Sequence, residues 1–194
     1  MKRVCVDPHH PDPEILKKAG EFLLEGKLVV FPTETVYGLG ASALDEQALD
    51  RVYRIKNRSK DKPLSYHFAD LKDFYAFAGE GIDARQKEWF EKLIPNPVTL
   101  VYRDSIRSRT LGVRFPENVI AREIIRFSKC PVIATSANFS GEPSGISVEE
   151  MSEAFLNQVD FIVDAGATDR GQESTVIDIS GKDPVILRQG AFHL

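Results

Sequence analysis

The sequence predicts an α/β protein built on a mixed β-sheet. Three observations carry that reading. Short continuous apolar runs alternate with stretches of helical period, the connections between them are short, and the C-terminal part is rich in strand-like runs, which argues against a purely parallel sheet.

Taken in order, residues 14 to 25 place Ile15, Leu16, Ala19, Phe22 and Leu23 at helical spacing, with Gly26 where a C-terminal cap belongs. Leu28 to Phe31 is an apolar run stopped by Pro32, the pattern of a strand buried on both faces. Pro32 to Ser42 reads as a loop. Asp45 then caps a helix carrying Ala48, Val52 and Ile55. Leu64 to Phe68 and Val98 to Tyr102 read as strands, with helices between them starting near Asp70 and Asp83; Asp83 and Gln86 have the spacing of a capping box. Gly112 to Phe115 is a short strand, Glu117 to Phe127 a helix, and Pro131 to Ala134 a strand. Ser147 with Glu150 predicts a second capping box and a helix to about Gln158. Phe161 to Val163, Thr175 to Ile179 and Val185 to Leu187 complete the strands.

The 194 residues suffice for one domain with a substantial core, and 42% hydrophobic with 28% charged residues is a globular composition, so residues 1–194 are read as a single domain. No apolar stretch reaches the length of a signal peptide or membrane span, which predicts a cytoplasmic protein. Cys5 and Cys130 stand without a C-x-x-C or a histidine at ligand spacing and read as reduced thiols. A net charge of −4 argues against nucleic-acid binding through the overall field. Positive charge is nevertheless gathered, with Arg51, Arg54, Lys56, Arg58, Lys60 and Lys62 in one stretch and Arg103, Arg107, Arg109 and Arg114 in another.

There is no G-x-x-x-x-G-K-[ST], and the loose G-x-G-x-x-A from Gly38 lies too far from its strand for a dinucleotide fingerprint. Other segments can bind ligands or be ordinary turns. The loop from Pro32 to Gly40 puts two hydroxyls, a carboxylate and a phenol past a strand, where α/β proteins bind ligands, though capping threonines would look the same. Lys56 to Pro63 ends a helix with cations, which the helix dipole alone favours, but four cations in seven residues exceed that need and suit polyphosphate. His67 on a strand fits a core histidine or a functional one. Arg114, if it faces inward, requires an anion such as a substrate carboxylate. The Thr135–Gly141 segment at another strand end offers hydroxyl and amide groups suited to phosphate or ribose.

In order, PTETVYGLGAS, KNRSKDKPL, NPVTLV, GVRFP, TSANFSGEPS, ESTVIDIS and LRQGA resemble the YrdC-like family of threonylcarbamoyl-AMP synthases from about Gly26 to Gly190. The resemblance implies a short single-domain form of the YrdC-like fold, an open twisted mixed sheet with surrounding helices and a concave substrate cavity. It implies formation of threonylcarbamoyl-adenylate and pyrophosphate from L-threonine, bicarbonate and ATP, for modification of an adenosine in tRNA. By the same resemblance, threonine meets Thr35, His67, Arg114, Ser174 and backbone near Ala134. ATP meets Lys56, Arg58, Lys62, Thr110, Ser136, Asn138, Ser144 and Arg188, with Lys56 and Arg58 as the catalytic cations. Mg2+ accompanies ATP without a protein-held metal, and a downstream threonylcarbamoyl transferase takes the product. The chain departs from the family's P-G-P-L-T at Asn96, which suits a positive φ if that position needs one, and from its K-x-R-P at Ser59. Two further readings stay open: a non-catalytic RNA-binding module using the basic stretches, and a paralogue handling another carbamoyl substrate.

Overall fold

In the computed structural model, which describes residues 2–194, ten strands form one mixed sheet. The strands are β1 (Lys2–Cys5), β2 (Val29–Phe31), β3 (Gly38–Ser42), β4 (Ser65–His67), β5 (Val98–Asp104), β6 (Arg109–Arg114), β7 (Val132–Ser136), β8 (Phe161–Asp164), β9 (Thr175–Asp178) and β10 (Val185–Arg188). Their order across the sheet is β1-β8-β2-β3-β7-β4-β6-β5-β9-β10. Four neighbouring pairs are parallel (β1 with β8, β8 with β2, β4 with β6, β5 with β9) and the other five are antiparallel. The helices are α1 (Pro13–Leu24), α2 (Glu46–Ile55), α3 (Leu71–Ala78), α4 (Ala84–Leu93), α5 (Val119–Ser128) and α6 (Glu153–Leu156).

Strand alternation decides what each face does. On β2, Val29 and Phe31 pack with Leu16, Leu23, Ile120 and Ile124 of α1 and α5. Val30 faces the other way, into a cluster with Val52 and Ile55 of α2 and Phe155 of α6. The far half of the sheet differs. Val98, Leu100 and Tyr102 of β5 and Leu111 and Val113 of β6 pack on Phe74 of α3 and Phe90 of α4. The alternate residues Thr99, Val101, Thr110, Gly112 and Arg114 face an open cavity. Leaving that half-sheet uncovered on one side creates the concavity.

The structure departs from the sequence reading at four places. The strand β1 has no apolar run to announce it and exists through pairing with β8. Part of the expected 32–42 loop is a fully buried strand, β3, paired with β2 and β7. Its glycines hide it: a Cβ on Gly40 would lie 2.6 Å from the Phe31 ring, so the position admits no strand-forming side chain. At Ser147 no side-chain cap forms; a 3-10 turn, Val148–Glu150, precedes α6, which Ser152 caps instead. The Asp83–Gln86 capping box does form. Asn96 does not take a positive φ; its side-chain amide donates to Leu93 O at 2.9 Å.

Candidate functional site

A cavity of about 630 Å3 lies over the uncovered face of β4, β5, β6, β7 and β9. Strand register builds its floor. His67 sits opposite Arg114, Arg114 opposite Thr99, and Thr99 opposite Val176, so these four form one row across the sheet. The next row runs from Ala134 through Ser65 and Gly112 to Val101. The rim comes from loops: Thr33 to Tyr37 between β2 and β3, Lys56 to Leu64 before β4, Asn138 to Glu142 after β7, and Glu173 and Ser174 before β9. Of the residues expected to hold ligands, the cavity brings together Lys56, Arg58, Lys62, His67, Thr110, Arg114, Ala134, Ser136, Asn138, Ser174 and Arg188.

Two expected contacts stand elsewhere. Thr35 is wholly buried behind Arg114, whose Nη2 donates to its Oγ1 at 2.6 Å. The Thr33 hydroxyl donates to Val36 O at 2.6 Å and lies 2.9 Å from that of Thr35. Thr35 therefore sets the position of Arg114, since the short turn folds its hydroxyl inward. Ser144 likewise does not line the cavity; its hydroxyl donates to Glu173 Oε1 at 2.6 Å.

The most deeply buried cation of the cavity wall after Lys56 is Arg114, 7% exposed, which pairs with Glu34 Oε1 at 2.7 Å. The second oxygen of Glu34 accepts from Glu117 N at 3.0 Å, so the carboxylate is fully engaged. Arg114 Nε is buried without a partner among the described residues. A buried guanidinium with an unused donor, at a cavity wall, is suited to one more anionic oxygen. Beside it, burial and then the Arg114 charge push His67 down to about 3, so its imidazole is neutral. Its Nδ1 lies 3.1 Å from Ser65 O and must donate there, because a carbonyl only accepts; Nε2 is thereby left as an acceptor.

Lys56, 4% exposed, is held by a helix terminus. Asn57, at φ 41°, takes the left-handed position after α2; its N–H returns to Arg54 O at 3.0 Å and that of Arg58 to Tyr53 O at 3.0 Å. Lys56 Nζ then reaches Ser136 O at 2.9 Å, Asn138 O at 2.7 Å and Asn138 Oδ1 at 2.5 Å. Its three N–H groups are occupied, so the ammonium clamps the Ser136–Asn138 loop and offers the cavity its charge rather than a free donor. Burial lowers its pKa to about 8, against the opposing field of Glu173. Arg58 donates to Lys62 O at 3.0 Å and Pro63 O at 2.9 Å, closing its own loop.

Sequence reasoning missed Thr99, Ser65 and Glu173. The signal for the first lay in the alternation Val-Thr-Leu-Val-Tyr on β5, where the small polar face matches Thr-Leu-Gly-Val-Arg on β6. Thr99 Oγ1 and Ser174 Oγ lie 2.8 Å apart. Glu173 gives no such signal, because its partners Ser144 and Arg188 are distant in sequence. The basic stretches are less free than they read: Arg51 pairs with Asp160, Lys60 with Asp50, Arg107 with Asp104, and Arg114 with Glu34.

An α/β sheet face floored by hydroxyls and lined by a buried guanidinium and further cations is suited to small anionic molecules. The Sua5/YciO/YrdC family, described as telomere recombination, matches residues 21–190, and the chain belongs to it. A protein of Pyrococcus abyssi named threonylcarbamoyl-AMP synthase is 41% identical over 187 residues, covering 92% of this chain and 55% of the relative. One of Methanocaldococcus jannaschii, named putative threonylcarbamoyl-AMP synthase, is 32% identical, covering all of this chain and 96% of the relative. The crystal structure of Pyrococcus abyssi Sua5 complexed with L-threonine superposes with a TM-score of 0.89 at 39% identity, covering 98% of this chain and 58% of that one. The chain thus spans a little over half the length of the Pyrococcus proteins. Among the described residues no helix is long and apolar enough to cross a membrane.

Proposed function

We propose that this chain is a threonylcarbamoyl-AMP synthase, a nucleotidyltransferase that makes threonylcarbamoyl-adenylate from L-threonine, bicarbonate and ATP. The observation that carries the reading is one cavity lined both by a buried, incompletely satisfied Arg114 and by the Lys56, Arg58, Lys62 and Arg188 cations. That is the charge pattern for an amino-acid carboxylate facing a triphosphate. Relatives bearing that name and the threonine complex of a close structural neighbour support it.

In this reading the threonine carboxylate lies against Arg114, and the neutral Nε2 of His67 accepts a hydrogen bond from the threonine amine or hydroxyl. The amine nitrogen bonds to the carbon of bicarbonate and water leaves, giving a carbamate. A carbamate oxygen then attacks the α-phosphorus of ATP while the bond to the β-phosphate oxygen breaks, releasing pyrophosphate. No protein nucleophile is needed. The chain contributes by alignment and by cations placed where negative charge develops. Among the described residues no group of three or more His, Cys, Asp or Glu side chains is arranged to hold a metal ion. We place Mg2+ on the nucleotide phosphates, since that ion favours phosphate oxygens and water over an all-protein cage, and no step here runs through it. We assign the product to a downstream transferase acting on tRNA, and the reaction to the cytoplasm, which suits two free thiols. With four of the clustered cations spent on carboxylates, no observation favours the RNA-binding reading over this one.

The test is pyrophosphate release from ATP and Mg2+ with threonine and bicarbonate omitted in turn. Release should require both; release indifferent to threonine, or none from folded protein, would reject the assignment.

A further inference from the structure

Glu173 occupies an unexpected position: with Asp61 and Glu142 it sets a carboxylate on the wall of a cavity whose cations are suited to phosphate. Its Oε1 accepts from Ser144 Oγ at 2.6 Å, and its Oε2 takes the guanidinium of Arg188. Arg188 is fixed in turn by Ser174 O at 2.8 Å, so it cannot simply follow an incoming ligand away from the carboxylate. Burial alone would push the Glu173 carboxyl up, but the Ser144 hydroxyl, the Arg188 charge and the Lys56 ammonium outweigh it and hold the group below the usual carboxylate range. It is ionised at neutral pH. The groups gathered around this anion, Ser144, Arg188 and Lys56, are the same ones that the resemblance assigns to ATP.

We infer that Glu173 is an internal competitor for the polyphosphate subsite, holding its donors while the site is empty and contesting them again once pyrophosphate has formed. The physical reason is that the Arg188 guanidinium in the cavity and the Ser144 hydroxyl outside its lining are donors already turned to Glu173. A tethered carboxylate satisfies both and must be displaced by a phosphate oxygen, so it weakens polyphosphate binding and speeds pyrophosphate release. The inference deepens the proposed function and rests on it, since it concerns how the triphosphate end of the same cavity is emptied.

The test is calorimetric titration of the full chain with pyrophosphate, with threonine titrated separately as a control. In Glu173→Gln the single carboxamide oxygen can replace one of the two acceptors, the one facing Ser144 or the one facing Arg188, and the negative charge is gone. Pyrophosphate should bind roughly tenfold tighter, or more, while threonine affinity stays at the wild-type value. Glu173→Asp, which keeps the charge, should bind pyrophosphate much as wild type does. Glu173→Ala, lacking both charge and acceptor, should also bind it more tightly, and its threonine affinity reports whether the cavity has survived. Pyrophosphate affinity unchanged or reduced in both neutral variants, with threonine still bound, would overturn the inference and leave the proposed function standing. Pyrophosphate bound by none of the four proteins would remove the polyphosphate subsite itself, and with it both the inference and the proposed function.

Discussion

Arg114 and Glu34 are a buried pair, 7% and 3% exposed, so each residue neutralises the other where water cannot. Removing the cation leaves an unpaired carboxylate, at a cost of about 3 to 5 kcal/mol. Arg114→Ala is therefore expected to lose both threonine binding and stability, and adding Glu34→Gln should restore part of the stability but none of the binding. Urea unfolding of the two single variants and the double variant checks this; additive losses would show the pair to be uncoupled. His67 makes a pH prediction. Its ordinary value of 6.5 falls to about 3 in the fold, so between those values the unfolded chain binds the extra proton. The His67 contribution is complete above pH 6.5 and is lost as pH falls below it, by about 1.4 kcal/mol per unit. Stability measured at pH 7 and pH 5 should drop by less in His67→Asn than in wild type. Both residues stood out in the sequence as strand residues with unresolved direction. Only the pairing of β4 with β6 puts them side by side on the cavity floor.

The cationic loop depends on how α2 ends. Asn57 is exposed and sits at φ 41°, a conformation that asparagine tolerates and β-branched residues do not. Asn57→Gly should leave stability within a few tenths of a kcal/mol, whereas Asn57→Val should cost about 1 to 2 kcal/mol. The valine variant should also bind ATP less well, because Lys56 and Arg58 flank the strained position. Equal stability of the two variants would mean that the loop does not need this termination. At this scale legibility followed periodicity. The helices α1, α2, α4 and α5 announce themselves through apolar spacing and caps, while β1 and β3 do not, because one is a polar edge and the other is glycine packed beneath Phe31.

Across the whole molecule the ten strands share one sheet, and Tyr66 on β4 packs against both the α2–α6 cluster and the α3–α4 cluster. Such continuity predicts a single cooperative unfolding transition. Fluorescence of Trp89, which packs against the α3–α4 cluster at one end of the sheet, should fall at the same urea concentration as the far-ultraviolet circular dichroism signal. Two separate midpoints would mean that the halves of the sheet unfold independently. From the sequence alone came the α/β class, most elements, the cations before β4 and the family resemblance, since periodicity, caps and motif order are local in the chain. The tertiary structure decided that Thr35 supports Arg114 from behind, that Lys56 clamps a neighbouring loop, and that Glu173 sits among the proposed phosphate donors. Those outcomes depend on register and on which donors are already spent, quantities set by residues 29 to 82 positions apart that meet only when the sheet has formed.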